Sequence, residues 1–155
     1  MLAKLHKQLL SIDKTVATAE SCTGGLIAAA LTSTPGSSAY MLGGTVAYAN
    51  RIKEVALGVE GMTIKNDGAV SREVAHQMAE GCRKVFASDF AVATTGIAGP
   101  DGGTKDKPVG TVWFAISGPN GTKTELANFH GSRDSIRSQS VDRALQLLWQ
   151  EVQRI

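Results

Sequence analysis

The order of apolar runs in this chain predicts a three-layer α/β/α sandwich around a mixed sheet, mostly parallel with a C-terminal β-hairpin. Three observations predict it. Helix-period and strand-period segments alternate from the N-terminus. The run Asp89–Thr95, "DFAVATT", is apolar on both faces, as in a sheet covered by helices on two sides. Two strand-like segments near the end flank "PNG", a hairpin turn.

Leu2, Leu5, Leu9, Leu10 and Ile12 recur at near-helical spacing and predict a first helix. "TVATA", Thr15–Ala19, is a short β-prone run behind it. "GGLIAAALTS", Gly24–Ser33, predicts a helix stopped by Pro35 and Gly36. "GGTVAYA", Gly43–Ala49, reads as a strand, and Asn50–Gly58 as a short helix with Asn50 at its N-cap and Gly58 at its end. Ser71 caps a further helix whose apolar face is Val74, Ala75, Met78, Cys82, Val85 and Phe86, so Cys82 belongs to the core. After Asp89–Thr95 comes the glycine-rich loop Gly96–Pro108, then the strands "VGTVWFAIS" and "TKTELANFH". Ile136, Val141, Ala144, Leu145, Leu148 and Val152 mark one face of a closing helix over Ser132–Ile155.

With 155 residues the chain has the size of one domain and can bury a core without staples. No apolar run approaches the ~20 residues of a membrane span, and the N-terminus lacks the apolar core and cleavage site of a secretory leader. Hydrophobic residues make up 43 % and charged residues 19 %, an ordinary composition for a cytoplasmic protein. Two cysteines, Cys22 and Cys82, are expected to stay reduced. The net charge of +2 is scattered rather than gathered into a stripe, which argues against a nucleic-acid partner. Three isolated histidines and no paired Cys/His spacing argue against a metal.

In an open α/β sheet, ligands sit beyond the carboxyl ends of the strands. Three polar clusters fall at such ends: "AESCTGG", "AYANRIK" and "TTGIAGPDGG". Ser21 fits an N-cap, yet the same position suits a nucleophile beside free backbone N–H groups. Cys22 is the rival nucleophile, but it lacks a histidine base in any of the clusters. Lys53 can serve as base for a serine if burial lowers its pKa, with Tyr48 as relay. By spacing alone these two read first as an exposed helix lysine and an edge tyrosine. Thr95 can donate to a substrate or bond its own backbone. Glu20 can orient the lysine or favour the helix N-terminus. Arg133 and Arg137 suit either a substrate phosphate or a solvated helix face.

Taken together, "TAESCTGGLIAAALTSTPGSS", "GGTVAYANRIKEVALGV", "GAVSREVAHQMAEG", "TTGIAGPDGGTKDKPVGTVWFA" and "FHGSRDSIR" resemble the CinA C-terminal domain family over nearly the whole chain. Family members commonly have serine where Ala49 stands, and proline and aspartate near His130 and Ser132. Stand-alone members of that family are nicotinamide-nucleotide amidohydrolases. The resemblance implies hydrolysis of the carboxamide of nicotinamide mononucleotide without metal or cofactor, by a homodimer. It assigns Ser21 as nucleophile, Tyr48 and Lys53 as its activating pair, and Thr95 as a further active-site hydroxyl. Glu20, Cys22, Thr23, Gly24, Gly25, Ser38, Asn50, Gly96 and Arg137 are expected around the substrate. The alternative is a nucleotide-binding module of the same fold that performs no chemistry.

Overall fold

The computed structural model describes residues 1–155. Its elements, in chain order, are α1 (Leu2–Ile12), β1 (Val16–Glu20), α2 (Leu26–Thr32), a 3₁₀ turn (Ser37–Ala39), β2 (Met41–Val46), α3 (Asn50–Leu57), α4 (Gly61–Asp67), α5 (Arg72–Phe86), β3 (Phe90–Gly96), β4 (Thr111–Gly118), β5 (Gly121–Asn128) and α6 (Arg133–Val152). The strands form one sheet in the order β2-β1-β3-β4-β5. β1 pairs in parallel with β2 and β3, whereas β4 is antiparallel to both β3 and β5. β4 alone therefore runs against the other strands, as the expected hairpin requires.

Alternation along the strands gives the two faces different side chains. Val16, Phe90, Val92, Val112, Phe114 and Ile116 belong to a core shared with α1, α2 and α6. Each such side chain contributes ~1.5–3 kcal/mol by leaving water. Ala17, Ala19, Ala91, Ala93 and Ala115 point the other way, into a core shared with α3 and α5. Alanines let α5 lie low on the sheet, and Gly81 extends that closeness to α3. A Cβ on Gly81 would fall 1.7 Å from the Leu57 carbonyl oxygen. Cys82 is fully buried in this alanine-lined core, as expected.

α2 lies between β1 and β2, while α3, α4 and α5 carry the chain from β2 past β1 to β3. The connections leave β1 and β2 in opposite directions, so a crevice opens beyond the carboxyl ends of β1 and β3.

Several boundaries differ from the sequence reading. α2 starts at Leu26, not Gly24, because Gly24 (φ 58°) and Gly25 (φ 103°) are left-handed and complete a turn that a helix cannot contain. β2 begins and ends earlier than Gly43–Ala49, since Ala47–Ala49 leave the sheet toward α3. Asn50 is the first residue of α3; Ala49 holds the cap position, with no capping side chain. α4 was not foreseen, because it buries no residue and so carries no apolar period. Val85 is 61 % exposed rather than part of the α5 face. Ser71 and Ser132 do cap α5 and α6, accepting from the Val74 and Ser135 N–H groups.

Candidate active site

The residues after β1 build the site. Ser21–Gly25 form a turn in which the Ser21 N–H donates to the Thr94 carbonyl on β3 and the Gly24 N–H to the Ser21 carbonyl. Ser21 is thus not a helix cap. Capping falls to Glu20, whose carboxylate accepts the N–H groups of Ile27 (2.8 Å) and Ala28 (3.0 Å). A carboxylate at a helix N-terminus is favoured by the unpaired N–H groups there. This arrangement frees the Ser21 hydroxyl for other contacts. The N–H of Cys22, which lines the cleft, donates to no oxygen of the chain.

Lys53, on the first turns of α3, is 1 % exposed. Its Nζ donates to Ser21 Oγ at 3.1 Å and to the Tyr48 carbonyl at 3.0 Å. No carboxylate lies within ion-pair distance of it. Burial therefore pushes the ammonium below the ordinary lysine range, opposed in part by the neighbouring Cys22. Burial has the reverse effect on the Cys22 thiol, which rises to about 11 and stays neutral near pH 7. A lowered pKa makes an amine beside a hydroxyl a better base, whereas a protonated thiol is a poor nucleophile.

Ser21, Cys22, Tyr48, Asn50, Lys53, Thr95 and Gly96 line a cleft of about 200 Å³, together with Ala69, Val70, Ala98 and Arg133. No acidic side chain faces it. The Thr95 hydroxyl donates to the Ala69 carbonyl at 2.8 Å, tying the segment before α5 to the end of β3. A side chain on Gly96 would meet Cys22 Sγ at 3.1 Å and Val112 Cγ2 at 2.7 Å, so its bareness seats Cys22. Tyr48 is 56 % exposed at the mouth. There Arg133 donates from Nη2 to the Tyr48 hydroxyl (3.0 Å) and from Nη1 to the Gly99 carbonyl (2.8 Å). The phenol thus bonds Arg133 rather than Lys53 or Ser21, and only the Tyr48 main chain is hydrogen-bonded to the amine.

Six expected substrate residues lie outside the cleft. Glu20 caps α2, and Thr23 is buried with its hydroxyl 2.8 Å from that of Thr94. Gly24 and Gly25 shape the turn behind Ser21. Arg137 donates to the Cys22 and Thr23 carbonyls (3.1 and 3.4 Å), bracing the turn from α6. Ser38 precedes β2, beside the Val16 end of β1, and so stands a strand length, roughly 17–20 Å, from Ser21. Conversely, Ala69, Val70 and Ala98 were not anticipated. Their signal in the sequence is small apolar residues abutting Gly68, the Ser71 cap and Gly99, which specify turns rather than chemistry.

No group of three or more His, Cys, Asp or Glu side chains converges in the chain to hold a metal ion. No helix is long and apolar enough to cross a membrane. A wider cleft of about 480 Å³ lies at the far end of the sheet, between α5 and the β4–β5 hairpin, but it contains no nucleophile–base pair.

The family model for the CinA C-terminal domain matches residues 1–152. A CinA-like protein of Geotalea uraniireducens is 54 % identical over 79 % of this chain and 29 % of its own length. Another, from Synechococcus sp., is 51 % identical over 92 % of this chain and 34 % of its own. The chain thus spans about a third of the length of these relatives. Among solved structures, the competence/damage inducible protein CihA from Agrobacterium tumefaciens superposes with a TM-score of 0.90 at 43 % identity, covering 95 % of this chain and 93 % of that one. A competence-damaged protein (CinA) superfamily protein from Klebsiella pneumoniae gives a TM-score of 0.95 at 31 % identity, covering 99 % and 96 %.

Proposed function

The chain belongs to the CinA C-terminal domain family, and we propose that it is an amidohydrolase converting nicotinamide mononucleotide and water to nicotinic acid mononucleotide and ammonia. One observation carries the reading: an amine buried without a counter-ion touches a hydroxyl that lines an open cleft. A lysine whose charge was structural would be paired with a carboxylate or left in water.

In this reading, neutral Lys53 takes the Ser21 proton as Oγ attacks the carboxamide carbon. The oxyanion that forms faces the main-chain N–H of Cys22, such a donor being worth ~3 kcal/mol. Collapse breaks the C–N bond, and the Lys53 ammonium returns its proton to the departing nitrogen, so ammonia leaves. Water then attacks the acyl ester, again losing a proton to Lys53, and releases the acid and free Ser21. The Tyr48 carbonyl aims the amine. Thr95, having given its proton to Ala69, keeps oxygen lone pairs for an N–H of the carboxamide. Arg133, bonded to two neutral acceptors at the mouth, suits the phosphate. We place this reaction in the cytoplasm and in a homodimer.

The test is ammonia release, measured across nicotinamide, its riboside, its mononucleotide and the dinucleotide, by the wild type and by Ser21→Ala. Turnover confined to the mononucleotide and lost in the variant supports the reading. Undiminished turnover by Ser21→Ala overturns it, and tight binding of the mononucleotide with no turnover by wild type identifies a binding module instead.

A further inference from the structure

The cleft of about 480 Å³ between α5 and the β4–β5 hairpin takes no part in the reaction proposed above. Ser117 on its floor registers with Ala91 at the start of β3 and with Thr122 at the start of β5, so the cleft lies a strand length from the Ser21 turn. Ser117 Oγ stands 3.0 Å from Thr122 Oγ1, which in turn lies 2.9 Å from Glu80 Oε1. A hydroxyl has one proton, so Thr122 gives its own to the carboxylate and accepts that of Ser117. His76 Nε2 also sits 3.1 Å from Glu80 Oε1. The other carboxylate oxygen, Oε2, bonds nothing in the chain.

Three further groups around this cleft are left open. Arg83 uses only its Nε–H, on the Asp89 carbonyl at 3.0 Å, so neither terminal nitrogen of its guanidinium has an acceptor. Lys84 makes no ion pair. Ser88, 6 % exposed, buries a hydroxyl that meets no hydrogen-bond partner. Two cations in the last turn of α5 suit the helix dipole, which by itself would account for Arg83 and Lys84. It does not account for Ser88. A hydroxyl shielded from water calls for a partner, and the chain supplies none.

We propose that this cleft binds the monophosphate of a polyol, such as a sugar phosphate, with the phosphate on Arg83, Lys84 and Ser88 and a sugar hydroxyl on Glu80. The free end of a guanidinium matches two phosphate oxygens at once, and the neighbouring ammonium adds charge. A free carboxylate oxygen accepts from a hydroxyl and repels a second anion, so the ligand is anionic at one end only. Ala87 is the one apolar residue of the lining, and no aromatic ring is present, so nothing there stacks a nucleobase or covers a lipid tail. The volume is that of a small-molecule site rather than of a lone ion. None of the residues proposed for catalysis enters this inference.

Isothermal titration calorimetry at low ionic strength with glucose 6-phosphate, glycerol 3-phosphate, glucose and inorganic phosphate tests it, on the wild type, Lys84→Met, Ser88→Ala and Glu80→Gln. At least one phosphate ester is expected to saturate one site per chain, more tightly than inorganic phosphate and far more tightly than glucose. Lys84→Met should weaken that binding about tenfold or more, the scale of one lost charged contact. Ser88→Ala should weaken it several-fold. Glu80→Gln should reduce the preference for the ester over inorganic phosphate, because Glu80 meets only the sugar. Far-ultraviolet circular dichroism matching the wild type shows that the variants fold. No saturation by either ester overturns the inference, as does saturation that Lys84→Met and Ser88→Ala leave unchanged, which places the ligand elsewhere. Inorganic phosphate bound as tightly as the esters overturns the polyol and leaves an adventitious ion only.

Discussion

Lys14 and Lys53 flank the two ends of β1. Lys14 donates to Asp89 Oδ1 at 3.2 Å with 35 % of its side chain in water. Asp89 also accepts the N–H and hydroxyl of Thr15, both at 2.9 Å, which ties the start of β1 to the start of β3. Burial alone would push the Asp89 carboxyl up, but the hydrogen bonds from Thr15 and Lys14 outweigh it and hold the carboxyl below its ordinary range. Lys53 has no carboxylate, almost no water, and a serine hydroxyl as a ligand. The same side chain is a surface strut at one end and a buried amine beside a serine at the other. Its surroundings, not its chemistry in isolation, make the difference.

The largest expected effect comes from removing the reactive end. Ser21→Ala and Lys53→Met should each lower kcat for ammonia release by ~10³-fold or more, as in other serine nucleophile–base systems. Thermal unfolding of Lys53→Met should meanwhile show stability equal to or above wild type, since a buried amine without a counter-ion gives way to an apolar side chain of similar length. A marked destabilisation would mean that Lys53 is structural like Lys14.

The pH dependence separates the two ends next. Lys53 has a folded pKa below its unfolded value, so the folded state binds fewer protons between the two. Its burial penalty is therefore full at low pH and fades as pH rises through that window. Activity should rise with pH through the lowered pKa, with a midpoint below the ordinary lysine value of 10.5. Asp89 behaves in the opposite sense at the acid end. Its folded pKa lies below its unfolded one, so its contribution is present above the ordinary carboxylate range and lost as pH falls through the folded value. A profile of kcat/KM with its midpoint at an unshifted lysine value would remove the distinction drawn between the lysines.

Smaller effects sharpen it. Asp89→Asn should cost about 1–2 kcal/mol in urea unfolding near pH 7, from weakened bonds to Thr15, and leave kcat unchanged. Gly96→Ala should cost ~1–3 kcal/mol by overpacking against Val112 and Cys22, and should also slow turnover by disturbing the Ser21 turn. Least of all, Lys14→Met should change stability by no more than ~0.5–1 kcal/mol, the scale of a partly exposed ion pair, with turnover intact. The substitution expected to abolish ammonia release at position 53 should pass almost unnoticed at position 14.

Much of the layout was legible from residue order alone. The alternation of helix and strand, the hairpin at "PNG" and the cap at Ser71 are local signals, and the structure keeps them. The association of Ser21 with Lys53 was foreseen by residue type and family resemblance, and the two side chains do meet. Arg137 and Arg133 show where such reading stops. They are four residues apart on α6 and equal as sequence, yet one braces the Ser21 turn while the other faces the cleft. Glu20 shows the same limit, because whether a carboxylate meets a lysine or a helix N-terminus depends on where α2 begins. Gly24 and Gly25 moved that start by two residues.

By itself, then, the sequence determined the fold class and the strand ends that carry polar clusters, while the pairing of a serine with a lysine came from the family resemblance. The first two follow from hydrophobic period, turn chemistry and residue type, all properties of short stretches. Only the tertiary structure decided that Lys53 is buried without a carboxylate, that the Tyr48 carbonyl rather than its phenol holds it, and that Ser38 sits at the wrong end of its own chain. Burial, pKa and proximity depend on what residues distant in sequence pack around a group, and no local pattern encodes them.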